Sequence, residues 1–92
     1  MPLDAAMKYF FNTEDGQRIP DEQGTELPDL QSACIEATKI LGEFMKERPR
    51  EFWAHDRLSL DVTDKQGLIL FTLQLSVTMS AALSGRHPPI DA

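Results

Sequence analysis

Apolar and polar positions alternate along this chain with two different periods, and the periods divide it into elements. Leu30, Ala33, Cys34, Ala37, Leu41 and Phe44 recur at spacings of three and four, which places them on one stripe of an α-helix. Gln31, Glu36, Lys39, Glu43 and Lys46 fall mostly on the other side. Asp29 stands where a carboxylate can accept the free N–H groups of the first turn. Pro49 disfavours helical geometry in the residue before it, so the helix is predicted to stop near Arg48. Leu58, Leu60 and Val62 alternate with Ser59, Asp61 and Thr63, the period of a strand with one buried face. Asp64-Lys65-Gln66-Gly67 reads as a hairpin loop with glycine placed for positive φ, and Leu68 to Leu75 is the returning strand. Ile69, Phe71, Leu73 and Leu75 share one of its faces, and Leu68, Leu70, Thr72 and Gln74 the other. Being apolar on both faces over its first half, this strand is expected at the centre of the sheet.

The N-terminal third carries a different signal. Tyr9-Phe10-Phe11 suits a pleated, half-buried surface, so Lys8 to Thr13 is a predicted strand, with Tyr9 and Phe11 on one face and Phe10 on the other. Glu14-Asp15-Gly16 is a turn, and Gln17-Arg18-Ile19 can return as a short strand. Pro20, lacking an N–H, confines that strand to an edge or ends it. Asp21 to Glu26 is read as loop, and Arg50 to Arg57 as a connection with at most a helical turn. The predicted fold is therefore α+β: a small, mainly antiparallel sheet in the order β-(β)-α-β-β with one helix packed on one face. A single domain over residues 1–92 is expected, with an ordered core over about 7–77, a loose leader over Met1 to Ala6, and a mobile tail over about 84–92. One helix covers one side only. Phe10, with some of Leu58, Leu68 and Leu70, is then left on an open face, and a contiguous apolar face marks association, here a homodimer or a hetero-partner.

Charge sharpens this picture. The formal net charge is −6, from fifteen acids against nine bases. A negative chain is ill suited to phosphate backbones or to anionic lipid, so neither nucleic acid nor membrane is expected as a partner; a basic protein is electrostatically acceptable. Asp4, Glu14, Asp15, Asp21, Glu22, Glu26 and Asp29 against Lys8 and Arg18 leave residues 1–30 at −5, nearly all of the excess. The acidic loop is thus the expected place for a basic partner, through Asp21, Glu22 and Glu26. With no apolar run of membrane-spanning length and no charged segment leading into an apolar one at the start, a cytoplasmic location is the default expectation.

Candidate chemistry is sparse. Cys34, the only cysteine, excludes an intrachain disulfide. On the apolar stripe it reads as a buried small hydrophobe; a nucleophilic role needs an exposed thiolate beside a base. The histidines, His55 and His87, cannot be placed near it. His55-Asp56 would point to opposite faces of a strand and no HxxxH or HxH pattern supports them as metal ligands. Asp21, Glu22, Glu26 and Asp29 lack the D-x-D-x-D-G spacing of a calcium loop. Lys46, Arg48, Arg50 and Arg57 flank Phe52-Trp53, an interleaving that can grip single-stranded nucleic acid; the competing reading, favoured by the net charge, has Trp53 closing the edge of the core. No constellation demands an enzyme, and no cofactor is expected.

Taken together, Tyr9-Phe10-Phe11, Asp15-Gly16, Asp21-Glu22-Gln23-Gly24, Glu26-Leu27-Pro28-Asp29-Leu30, the segment Ala33 to Ala37 and Val62-Thr63-Asp64-Lys65-Gln66-Gly67 resemble, over roughly residues 8–75, a family of small uncharacterised bacterial proteins catalogued as a domain of unknown function. The resemblance implies a fold and no activity. Pro20-Asp21-Glu22-Gln23-Gly24 is also similar to the Pro-Asp-x-x-Gly string of HicB-type antitoxins. Those place three strands before the helix where this chain has room for two, and carry a DNA-binding C-terminal segment with no counterpart here. The expected function is a non-enzymatic protein-interaction module acting as a homodimer, with Phe10, Asp21, Glu22, Glu26, Trp53, Leu68 and Leu70 as candidate partner-binding residues. Two alternatives stand beside it: an antitoxin-like regulator of a basic protein, and a small ligand-binding protein or enzyme with a pocket near Trp53 and His55.

Overall fold

A computed structural model describes residues 6–83. The expected tail over about 84–92 lies outside the described residues, as does all of the expected leader except Ala6. The chain is α+β: β1 (Met7–Glu14), β2 (Arg18–Ile19), β3 (Thr25–Leu27), α1 (Leu30–Glu47), α2 (Pro49–His55), β4 (Arg57–Thr63) and β5 (Ile69–Ser76), then a 3-10 turn, Ala81–Leu83. All pairings are antiparallel, in the order β2-β1-β4-β5, with β3 also on β1.

Alternation decides the core. Tyr9 and Phe11 of β1 and Leu58, Leu60 and Val62 of β4 point to the helix side, where Ala33, Ala37 and Leu41 of α1 and Phe52 of α2 meet them. Asp29 caps α1 as expected, its Oδ1 accepting the Ser32 N–H at 2.7 Å. The Ser32 hydroxyl, and after it the Ser32 main-chain N–H, hold the Asp29 carboxyl below its ordinary pKa. Leu41 is almost wholly buried, so Leu41→Ala should destabilise by about 2–3 kcal/mol through lost burial and a residual cavity, read from the urea midpoint.

Five expectations need correction. Among the described residues there are two α-helices, because Pro49 does not end helical structure: it starts α2 at the N1 position, where a missing N–H is harmless. Phe52 anchors this second helix in the core. The segment 21–26 is not all loop, since Thr25–Leu27 forms β3 against Met7–Tyr9. Cys34 is exposed; one helical step of about 100° from Ala33 puts it on the shoulder of the buried stripe. Leu58 is fully buried on the helix side rather than on the open face. Finally, β5 is an edge strand. β1 takes the centre beside β4 because β2 and β3 share its other edge.

Two close approaches fix the turns. Gly16 has φ +100°, and a side chain there would collide with the His55 ring. His55 is held by a bond from Nδ1–H to the Glu51 carbonyl at 3.1 Å. Asp56, left-handed at φ 60°, closes α2 by donating its N–H to the Phe52 carbonyl at 2.8 Å, which turns the chain into β4.

Candidate interaction site

The two edges of the sheet are built differently. On the β1 side, Thr13 faces Ile19 and Tyr9 faces Thr25, so the edge runs six residues while β1 runs four. Pro20 cannot supply a ladder N–H, and the surplus is absorbed at Asp21. The Asp21 carboxylate takes the place of the missing strand: Oδ2 accepts the Phe11 N–H at 3.1 Å, and Oδ1 accepts those of Gln23 and Gly24 at 3.1 and 3.0 Å. Asn12 Oδ1 accepts the Asp21 N–H at 2.9 Å. Burial raises the Asp21 pKa, but the Gly24, Phe11 and Gln23 donors outweigh it and hold the group below its ordinary value. This edge is thus interrupted, internally satisfied and flanked by Arg18, Glu22 and Glu26.

The β5 edge has none of these devices. The Phe11 N–H points away from β4, toward Asp21. Alternation then directs the main-chain groups of Leu58, Leu60 and Val62 at β5. The continuation agrees, with Val77 donating to the Asp56 carbonyl at 3.1 Å. Phe71, Leu73, Leu75 and Val77 therefore turn their N–H and C=O groups inward, and Thr72, Gln74 and Ser76 turn theirs to the open edge. The side chains of Phe71, Leu73, Leu75 and Val77 pack against the core but are only half-buried, and the helix backbones approach β4 and β3 most closely. At the hairpin end Leu68 and Ile69 are 62% and 54% exposed, beside a bulge where Val62 faces Phe71 but Thr63 faces Ile69. No charged residue occurs between Lys65 and Arg86.

The open face of the sheet is mainly polar. Asp61 accepts a hydrogen bond from Thr72 Oγ1 at 2.8 Å and pairs with Arg18 at 3.5 Å. Beside them lies a shallow cleft of about 280 Å³ lined by Phe10, Asn12, Arg18, Asp21, Thr63, Asp64, Lys65 and Gly67. Its acids are engaged: Asp21 as above, and Asp64 through Oδ1, which accepts the Gln66 and Leu68 N–H groups at 2.8 and 3.0 Å.

Of the candidate residues, Phe10 and Asp21 meet in this cleft. Glu22 and Glu26 stand exposed on the loop and on β3, while Trp53 packs edge-on against Phe52 in the helix layer with ring centroids 6.0 Å apart. Leu68 and Leu70 lie at the start of β5. Four surface cavities among the described residues are lined by neither Trp53 nor His55. Among the described residues no group of three or more His, Cys, Asp or Glu could hold a metal ion, and no helix is long and apolar enough to cross a membrane. Sequence reasoning missed the outward-facing positions Thr72, Gln74 and Ser76, although an apolar strand flanked by a long uncharged run was a usable signal.

Comparison with known proteins supports the family and not the antitoxin likeness. No curated protein and no solved structure matches the chain. Residues 8–76, from the second residue of β1 to the end of β5, match the family described as Domain of unknown function (DUF6894), and the chain belongs to that family.

Proposed function

We propose that this chain is a non-enzymatic protein-interaction module that acts as a homodimer through the β5 edge. The observation that carries the reading is the bare edge itself. Among the described residues, an eight-residue strand has no strand paired on its outer edge and carries half-buried leucines but no charge or proline. Such an edge is a template for an added strand, with main-chain bonds supplying affinity and alternate side chains specificity. A basic partner on the acidic N-terminal region has less support. Asp15 bonds the Gln17 N–H, and with Asp21 and Asp29 it serves the backbone, leaving Glu14, Glu22 and Glu26 dispersed.

Sedimentation of the full chain tests the reading. The native protein should sediment as a dimer. Gln74→Pro should be monomeric with an unchanged far-UV spectrum, because the N–H it removes faces outward and belongs to no ladder within the chain. Gln74→Lys, at an exposed position, should also weaken the dimer at least tenfold. A native protein that is monomeric at every concentration would sink the proposal.

A further inference from the structure

We infer that the strand added at β5 is the β5 strand of a second copy, antiparallel, with the two-fold axis passing through Gln74. This rests on the interaction reading above and adds which strand of the second copy pairs there and in what register.

Charge selects the occupant. The run from Gln66 to Gly85 is uncharged in a molecule of net charge −6. A basic or acidic partner gains no ion pair along this edge, whereas a second copy meets it without like-charge opposition. Continuity selects the edge. The β2–β3 side offers β5 no comparable ladder, because its two strands have only two and three residues and the gap between them holds Pro20 and Asp21. β5 therefore pairs with β5, the contact is isologous, and the assembly closes at two.

The outward-facing residues select the register. With Gln74 opposite its own image, Thr72 lies opposite Ser76 of the second copy and Ser76 opposite Thr72. Each of the three outward residues then has a main-chain partner. On the helix side the same register sets Phe71 against Val77 and Leu73 against Leu75, covering the side chains that one copy leaves half-buried. An axis at Thr72 would set Ser76 against Leu68, in the hairpin beyond the bulge, and one at Leu73 would set Ser76 against Leu70, inside the bulge; an axis at Leu75 or Ser76 would run the ladder past the end of β5.

Disulfide trapping reads the axis directly, in the full chain carrying Cys34→Ser so that no other thiol is present. Directly opposed residues of a hydrogen-bonded antiparallel pair have Cα atoms about 5.5 Å apart, within disulfide range. Gln74→Cys should therefore form a covalent dimer at least tenfold faster than Thr72→Cys or Ser76→Cys. Each of those lies about 14 Å from its own image, four residues along the pair. An equimolar mixture of Thr72→Cys and Ser76→Cys should form the mixed dimer preferentially, and it keeps Gln74 intact on both copies. A dimer in sedimentation with no Gln74→Cys preference and no mixed product would overturn the register and leave the interaction module standing. A monomer in sedimentation would overturn both.

Discussion

Leu60→Ala should be the most damaging single truncation in the chain, at about 4 kcal/mol. Leu60 is fully buried at the middle of the central strand, between Thr13 of β1 and Leu73 of β5. A cavity there is walled by strands on both sides and by helices above, so little can collapse into it. A 92-residue chain has a total stability of about 5–14 kcal/mol, and the loss takes a large share of it. At a urea m-value of about 1.5 kcal/mol per M the midpoint should fall by about 2.7 M, compared at one protein concentration. Leu68→Ala is the matched control: the same atoms leave an exposed site, and the change should stay within about 0.5 kcal/mol. Equal effects at the two positions would remove β4 from the centre of the sheet.

Asp21→Ala should cost about 3 kcal/mol, because it strips three main-chain donors of a charged acceptor and leaves the Phe11 N–H facing a gap. Asp21→Asn should not restore the loss. An amide has one acceptor oxygen, and whichever way it turns, its NH₂ opposes a main-chain N–H. The pH dependence follows from the depressed carboxyl. Its ordinary value is 3.8 and its folded value is lower. The contribution is thus fully present above the unfolded pKa and is lost as pH falls through the folded one. The stability gap between the native chain and Asp21→Ala should be flat near neutrality and shrink below about pH 4. A gap that persisted undiminished at pH 2 would mean that the carboxylate charge is not what holds this edge.

The parts of the fold governed by period were legible in the sequence. The α1 stripe, the Asp29 cap, the alternation of β4 and the aromatic faces of β1 all depend on spacing within a few residues, and each stands where that spacing puts it. The parts governed by distant partners were not. β3 has three residues and no pattern of its own; it exists because Met7–Tyr9 lies opposite. Pro49 reads equally well as a stop and as a first helical residue, and only Phe52 meeting the core decides for a helix. β5 reads as a central strand because both of its faces are apolar at the start. The same leucines are what an edge strand shows when its cover is absent. For the candidate site, Asp21 was singled out for its charge, while its work is geometric and reaches ten residues back to Phe11.

The meeting of Gly16 and His55 has a consequence for how this chain can vary. Glycine at 16 looks like an ordinary turn residue, and by its dihedral angle alone an asparagine or aspartate there would be strained yet conceivable. The imidazole adds a second cost, since a Cβ at 16 enters the space the ring fills and the exposed ring has to swing away. Variation at the two positions is therefore coupled: a smaller residue at 55 leaves position 16 with only the cost its backbone sets. A side chain at 16 should be better tolerated beside a small residue at 55 than beside His55.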